Sequence, residues 1–273
     1  MESSILKRVI TMVSIFSAAT IITLMLPNWV FCLLVISLIG PALFEFFQIV
    51  ERKGLVAYKY FGVVTGIVLP IAIYLHLGEG FADVEPFFIV IACLFAFILQ
   101  LTRVEPTKDH LITIALTLFA LFYISWFLSF FIKIKYLPHG SMLVFFVLMV
   151  TKSGDVGAYF IGRKFGKNAL ISRISPKKTK EGAIGGLVCS LIAAVLCGRF
   201  LLNFPFHHVL VLGVLLGIIG QIGDLAESLF KRDFDVKDSS KSLPGVGGVL
   251  DVIDSLLFTA PIFYFYVKIF FIS

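Results

Sequence analysis

Four carboxylates lie near the ends of two consecutive apolar segments in the C-terminal part of this sequence. Asp224 and Glu227 are three residues apart, and so are Asp251 and Asp254, so each pair shares one face of a helix. An ionisable side chain at the centre of a membrane span costs about 2.5–3.5 kcal/mol on insertion scales. Acids in such positions either pair with nearby Lys and Arg residues at a hydrated interface or form a functional site.

The spacing of these acids favours a site for a hard divalent cation. Mg²⁺ prefers oxygen ligands, keeps several waters and is usually held by one or two carboxylates together with substrate phosphates. One Asp from each of two neighbouring helices meets this requirement, so we predict that Asp224 and Asp251 hold the metal. Backbone N–H groups at the helix start near Asp251 favour anions, and the glycines of GVGG (245–248) would let a phosphate approach the backbone.

A basic segment upstream of the acids supplies cations and hydroxyl groups. The stretch SPKKTKEG contains Ser175, Lys177, Lys178, Thr179 and Lys180 within six residues. On charge alone it is typical of a loop that orients a membrane protein, but its position beside intramembrane carboxylates favours phosphate binding. The chain has no GxxxxGK[ST] phosphate-binding loop, and GRKFGK is too short to replace one.

Long apolar blocks must position these polar residues. Of the 273 residues, 59% are hydrophobic, 30 are Phe and 15% are charged, which is more apolar surface than a soluble domain can bury. A helix needs about 20 apolar residues to cross the hydrocarbon, and an open sheet cannot satisfy its backbone in lipid. We predict an all-α polytopic membrane protein with about nine transmembrane helices, near residues 9–26, 29–50, 60–77, 86–101, 110–132, 141–161, 183–202, 208–229 and 249–271.

The basic residues indicate the orientation of the chain. With a cytoplasmic N-terminus, most Lys and Arg residues lie in cytoplasmic segments, as the positive-inside rule requires, and the outer loop GEGFADVE is acidic. Nine spans then put the C-terminus outside. The first block follows Lys7 and Arg8 and lacks a small-residue cleavage site, so we interpret it as a retained span.

The net charge of +6 lies mainly on the predicted cytoplasmic face. Anionic lipid headgroups of the bilayer or phosphate-bearing substrates are therefore expected partners. Nucleic acid is a poor alternative, because the chain has no soluble basic domain. The sequence shows no Ser–His or Cys–His arrangement, so acyl transfer by a protein nucleophile is not expected.

The polar residues divide the chain into two regions. Residues 1–140, with spans one to five, are nearly free of charge inside the spans, and we predict a transmembrane scaffold. Glu45 is the exception there, and is either a satisfied polar contact or an acid that lines the site. Residues 141–273, with spans six to nine and their cytoplasmic phosphate-binding loops, form the predicted catalytic region.

Three segments, in this order, resemble the signatures of phosphatidate cytidylyltransferases (CDP-diacylglycerol synthases). They are GDVGAYFIGRKFGK, ISPKKTKEG and SLFKRDFDVKDSSKSLPGVGGVLDVID, and the resemblance covers about residues 150–260. In the last segment the matching positions are Ser228, Lys231, Arg232, Lys237, Asp238, Gly247, Gly248, Asp251 and Asp254. The chain departs from the family pattern at Val246, where His is usual, and at Val252, where Arg is usual.

The resemblance implies the transfer of CMP from CTP to phosphatidic acid, which gives CDP-diacylglycerol and pyrophosphate with Mg²⁺ as cofactor. It implies catalytic roles for Asp155, Lys237 and Asp254 beside the metal ligands Asp224 and Asp251. The implied substrate-binding residues are Ser175, Lys177, Lys178, Thr179, Ser228, Lys231, Arg232, Gly247 and Gly248. It further implies a multi-pass protein of the cell (inner) membrane with a cytoplasmic active site, and it suggests a homodimer.

Two other functions fit parts of the sequence. A CTP-using lipid kinase would share the nucleotide but phosphorylate a hydroxyl, and would therefore need a base. A transporter would use intramembrane acids as proton or cation sites, but here the acids cluster on one side, next to a Lys-rich segment. CDP-alcohol phosphotransferases are disfavoured, because their spaced Asp motif is missing.

Overall fold

The structure is a computed structural model that describes residues 2–76, 84–103, 109–240 and 242–272, with side chains from residue 10 onward. These residues form ten α-helices: α1 (Glu2–Met25), α2 (Asn28–Arg52), α3 (Lys59–His76), α4 (Val84–Leu101), α5 (His110–Ala120), α6 (Phe127–Lys135), α7 (Gly140–Phe165), α8 (Lys180–Phe200), α9 (Phe206–Asp233) and α10 (Leu250–Phe271). A π-helical segment, Leu121–Trp126, joins α5 and α6 into one continuous helix.

The helices confirm an all-α polytopic membrane protein. Within the described ranges, eight helices are long and apolar enough to cross a membrane, and α1 adds a shorter apolar stretch at Ile10–Met25. Their ends lie within a few residues of the predicted blocks. Pro27 and Pro205 stand at the starts of α2 and α9, where a missing backbone N–H costs nothing. Residues 78–83 of the predicted acidic outer loop (78–85) and the side chains of Lys7 and Arg8 lie outside the described residues.

The basic segment is a β-hairpin rather than an irregular loop. Strand β1 (Ala169–Ile171) pairs antiparallel with β2 (Ser175–Thr179) between α7 and α8. The end of α9 holds the hairpin turn, because Arg232 donates through Nε to the carbonyl oxygen of Ile174 at 3.3 Å. The hairpin therefore lies against the polar end of α9.

Small residues bring the helices of the C-terminal region into close contact. A Cβ atom on Gly154 or Gly157 of α7 would overlap Ser190 or Cys189 of α8. On α9, a Cβ atom at Gly223 would lie 2.6 Å from the carbonyl oxygen of Asp254. In membranes, such close backbone approach is a main source of helix association, and here it sets the distance between the acids of α9 and α10.

The N-terminal helices pack directly against this region through aromatic side chains. Phe46 and Phe47 of α2 are fully buried. The Phe46 ring stacks on Phe230 of α9, with ring centroids 4.5 Å apart, and Tyr123 packs against Phe258 of α10 at 5.7 Å. The predicted scaffold thus shares one core with the helices that carry the acids. The functional division at residue 140 stays a prediction.

Candidate active site

Three carboxylates from α9 and α10 converge at one end of the bundle. Asp224, Glu227 and Asp254 each bring one oxygen to within 4.8 Å of the others, and we call them the acid cluster. Oxygens that bind one divalent cation at 2.0–2.6 Å lie at most about 4–5 Å apart, so the spacing suits a shared ion. Glu227 and Asp254 are buried, whereas the side chain of Asp224 is 39% exposed. The cluster is therefore open to water and ligands on the Asp224 side.

The acid cluster contains an oxygen that lacks a partner. Oε2 of Glu227 lies 2.5 Å from Nζ of Lys231, but Oε1 has no hydrogen-bond partner among the described residues. A buried carboxylate oxygen without a donor is costly unless a cation or a proton satisfies it. The orphaned oxygen and the all-oxygen donor set fit a hard metal ion such as Mg²⁺.

Asp251, the other predicted metal ligand, lies beside the acid cluster. Its two carboxylate oxygens have different partners. Oδ2 accepts hydrogen bonds from the backbone N–H of Gly248 at 2.6 Å and of Ser239 at 3.0 Å, and the Ser239 hydroxyl lies 3.0 Å away. Oδ1 lies 2.6 Å from Nζ of Lys231, the same ammonium that contacts Glu227. One oxygen thus organises the preceding loop, and the other faces the cluster. The Asp224–Asp251 metal pair stays a prediction.

The two glycines before this helix lie under carboxylates. Gly247 has a φ of 119°, a conformation that side chains rarely adopt, and a Cβ atom there would overlap the carboxylate of Asp251. At Gly248 a Cβ atom would overlap the carboxylate of Glu45 and the hydroxyl of Ser239. The space that the sequence analysis assigned to a phosphate is thus occupied by carboxylates of the protein. Phosphate binding at Gly247 and Gly248 stays a prediction.

The hairpin brings one of the predicted phosphate-binding lysines to α9. Nζ of Lys178 lies 2.7 Å from Asp224 and donates to the hydroxyl of Ser228 at 3.2 Å. Thr179 has a structural task, because its hydroxyl caps α8 by accepting from the N–H of Gly182 at 3.1 Å. Other predicted substrate-binding or catalytic residues lie around this end, partly exposed at Ser175 and exposed at Lys177, Arg232 and Lys237.

Asp155 belongs to a second polar contact next to the acid cluster, between α7 and α10. Lys152 donates to Asp155 at 2.9 Å, to the hydroxyl of Ser255 at 2.8 Å and to the carbonyl oxygen of Val252 at 2.9 Å. Ser255 donates in turn to Asp155 at 2.8 Å. Lys152 was visible in the sequence as an intramembrane cation three residues before an acid. Its partners on α10 were not.

The acid cluster and its neighbours contain more carboxylates than ammonium groups. With every group ionised, the carboxylates would outnumber the ammonium groups by two, an excess that either one divalent cation or two protons would neutralise. The carboxylates are those of Asp155, Asp224, Glu227, Asp251 and Asp254, and the ammonium groups are those of Lys152, Lys178 and Lys231.

Tyr123 is a candidate functional residue that the sequence analysis missed. It lies in the π-helical segment, is 6% exposed, and its hydroxyl has no partner among the described residues. The charges of Asp224, Glu227 and Asp254 act on it through the protein interior. π-helical turns occur frequently at functional sites. An aromatic residue in an apolar block gives no sequence signal for such a role.

An apolar cavity leads to the Lys152–Asp155 contact. Its volume is about 730 Å³, and it is lined by residues of α1, α2, α6, α7, α8 and α10. Lys152 and Asp155 are part of this lining, together with Val252, one of the two positions that depart from the family pattern. An acyl chain and a charged headgroup would find matching surroundings in this cavity and at its polar end.

Comparisons with known proteins agree with this chemistry. A family model described as "Cytidylyltransferase family" matches residues 6–270. A phosphatidate cytidylyltransferase of Bacillus subtilis (strain 168) is 34% identical over 246 residues, which is 88% of this chain and 89% of the relative. The phosphatidate cytidylyltransferase of Synechocystis sp. (strain PCC 6803) is 31% identical over 275 residues, or 89% and 90%. A protein of Escherichia coli (strain K12) named YnbB is 40% identical over 153 residues, 56% of this chain and 51% of its own length.

Proposed function

The chain belongs to the cytidylyltransferase family, and we propose that it transfers CMP from CTP to phosphatidic acid, giving CDP-diacylglycerol and pyrophosphate. The acid cluster carries this proposal. It combines a buried carboxylate oxygen without a described donor, three converging carboxylates and neighbouring lysines at the end of a membrane bundle. This set can neutralise and align two polyanionic substrates.

The reaction needs little help from a protein base. The second pKa of a phosphate monoester is about 6, so the lipid phosphate is largely ionised near neutral pH. One of its oxygens bonds to the α-phosphorus of CTP, the bond from that phosphorus to the bridging oxygen of the β-phosphate breaks, and pyrophosphate leaves with the electron pair. The protein has to orient the two substrates and stabilise the charge that develops.

The proposed metal ligands are Asp224 and Asp251, together with the other two carboxylates of the acid cluster, Glu227 and Asp254. Mg²⁺ bound there would neutralise the triphosphate and polarise its α-phosphoryl oxygens. Nζ of Lys231 touches both Glu227 and Asp251, so it holds those two acids together against their mutual repulsion. Asp155, Lys237 and Asp254 are the proposed catalytic residues, of which Lys237 is exposed.

Cations around the acid cluster would bind the two substrates. The predicted set would contact the triphosphate or the lipid phosphate, with Lys178 already beside the cluster; it consists of Ser175, Lys177, Lys178, Thr179, Ser228, Lys231, Arg232, Gly247 and Gly248. The phosphate of the lipid would lie near Lys152 and Asp155, with an acyl chain in the cavity. An acyl chain that moves there exchanges the hydrocarbon of the bilayer for a similarly apolar lining, so its placement costs little free energy.

The topology proposed for this activity has nine spans, a cytoplasmic N-terminus and an outer C-terminus. It puts the active site on the cytoplasmic side of the cell (inner) membrane, where CTP is available. The charge distribution along the chain supports this orientation. Residues 141–273 would act as the catalytic region, and a homodimer is proposed from the family resemblance.

Radiolabelled CTP tests the reaction directly. Purified protein in nanodiscs is given phosphatidic acid, Mg²⁺ and CTP labelled at the α- or the γ-phosphate. We expect the α-label in the lipid fraction and the γ-label in pyrophosphate. A γ-label in lipid would instead identify a lipid kinase, and no labelled lipid from either nucleotide would contradict the proposal.

A further inference from the structure

Glu45 connects the N-terminal helices to the loop that precedes α10. It is only 4% exposed, and both carboxylate oxygens are saturated by donors from residues 239–250. Oε1 accepts from the hydroxyls of Ser240 and Ser242 at 2.7 Å each and from the N–H of Val249 at 3.0 Å, and Oε2 accepts from the hydroxyl of Ser239 at 2.9 Å and the N–H of Leu250 at 3.0 Å.

This carboxylate caps α10 from another helix. The first N–H groups of a helix have no partner within it and carry a partial positive charge. The residue before α10 is Val249, and it offers no side-chain cap. Glu45 satisfies the N–H groups of Val249 and Leu250, and the absence of a side chain at Gly248 leaves room for its carboxylate. The start of α10 is thus held in place by α2.

A short series of contacts links Glu45 to the acid cluster. The buried hydroxyl of Ser239 lies 2.9 Å from Glu45 and 3.0 Å from Asp251. The other oxygen of Asp251 contacts Lys231, which also contacts Glu227. Asp254 follows one turn later on the helix that Glu45 caps. A shift of this cap would therefore move Asp251 and Asp254 and, through Lys231, would disturb Glu227.

We propose that Glu45 is a positioning residue for the active site. It holds the 239–250 loop and the first turn of α10 so that Asp254 lies within the acid cluster and Asp251 beside it, against Lys231. It does not touch the substrates. Its effect on catalysis rests on the proposed function, whereas its effect on the loop does not, so the two can be tested separately.

Glu45→Gln is the most informative variant. Each oxygen of Glu45 faces one backbone N–H group, so in either orientation the amide NH₂ of Gln opposes an N–H of Val249 or Leu250. The serine hydroxyls can rotate to accept, but the backbone donors cannot. A buried donor is then left unsatisfied, which disfavours this arrangement of the loop. Because the loop positions Asp251 and Asp254, we expect kcat to fall about 10- to 100-fold. We also expect the KM for CTP to rise, since a displaced loop would also move Lys237, a proposed active-site cation that comes just before it in the chain.

Glu51→Gln is the matched control. Glu51 lies on the same helix, is exposed and pairs with Lys59 at 3.1 Å, so the same change of charge should leave kcat and KM as in the wild type. Glu45→Asp keeps the charge and all-acceptor character on a shorter side chain, and should restore part of the activity and of the KM. A loss of active protein alone would lower kcat without changing the KM.

Amide hydrogen–deuterium exchange of residues 239–250 in substrate-free nanodiscs provides a readout that does not depend on activity. Exchange should be faster in Glu45→Gln and unchanged in Glu51→Gln. Faster exchange with an inactive wild type would support the positioning of the loop while the proposed reaction fails. An active Glu45→Gln protein with wild-type exchange, kcat and KM would overturn the inference. So would a lower kcat at unchanged KM and exchange.

Discussion

Glu45 in α2 and Glu227 in α9 are buried to nearly the same degree, at 4% and 1% exposure, but their oxygens are used differently. Donors from the 239–250 loop saturate both oxygens of Glu45. Glu227 has Lys231 on one oxygen and no described partner on the other. A satisfied buried carboxylate holds one arrangement of the chain, whereas an unsatisfied one is costly until a cation binds. The comparison separates acids that build the site from acids available to a ligand.

Asp251 lies between these two extremes. Its Oδ2 holds the loop, as Glu45 does, and its Oδ1 faces the acid cluster through Lys231. Asp224 is the most accessible of these acids, because its side chain and that of its partner Lys178 are both partly exposed. If the comparison is correct, substitutions of these acids should separate effects on metal binding from effects on the conformation of the 239–250 loop.

Asp224→Asn should have the largest effect on activity. It removes the most accessible metal ligand, and loss of several kcal/mol of charge stabilisation corresponds to about a 1000-fold lower kcat. The fold should be retained, because the carboxylate is 39% exposed. Mn²⁺ binding followed by electron paramagnetic resonance should be lost together with activity. Asp235→Asn, an exposed acid that pairs with Lys53, is the control, and undiminished Mn²⁺ binding in Asp224→Asn would refute the metal assignment.

Asp251→Asn should lower kcat about 100-fold, because loss of a group that orients metal ligands typically lowers metal affinity or activity about 10- to 100-fold. Since Asp251 both holds the loop and faces the cluster, weaker Mn²⁺ binding should accompany faster amide exchange in residues 239–248. Either change without the other would show that Asp251 has a single role.

Glu227→Gln should lower activity about tenfold and stabilise the metal-free protein, whereas Glu45→Gln should destabilise it. Lys231 contacts one oxygen of Glu227, but the other oxygen has no described donor, so a neutral amide removes part of a desolvation penalty of about 1–3 kcal/mol. Lys231 keeps its contact with Asp251. Thermal unfolding in EDTA measures this difference. Equal shifts of the melting temperature in both variants would contradict the distinction between the satisfied carboxylate of Glu45 and the unsatisfied one of Glu227.

Tyr123→Phe should have the smallest effect, a decrease in kcat of about two- to tenfold, corresponding to the loss of one hydrogen bond of about 0.5–1.5 kcal/mol. The hydroxyl has no described partner in the substrate-free protein, so stability should be unchanged and the loss should appear only with substrates bound. The stability of the variant and its kcat are measured together. Unchanged activity would exclude Tyr123 from the site.

The fold was largely predictable from hydropathy. A helix in lipid satisfies its own backbone hydrogen bonds, so the length of an apolar block defines each span locally. The block predicted at 110–132 is the continuous helix His110–Lys135, and the last block begins one residue from Leu250. The β-hairpin was not predicted, because a strand as short as Ala169–Ile171 leaves little periodic signal in a segment dominated by charge.

The candidate site was predictable only as a set of residue types. The spacing of Asp224, Glu227, Asp251 and Asp254, and the lysines of the hairpin, follows from the sequence. The sequence also shows that these groups lie near the ends of membrane spans. Which acid meets which cation could not be read from spacing, and the alternatives for Glu45 remained open until its contacts were known.

The amino-acid sequence by itself determined the membrane-spanning helices, the family signature and the chemical class of the polar residues, since each depends on local order along the chain. The tertiary structure alone determined which carboxylate oxygens are satisfied. That property depends on donors far away in the sequence, such as Ser239, 194 residues from Glu45, and on the close approach of α9 and α10 at Gly223. Only after these partners are in place does one buried oxygen remain available to a cation.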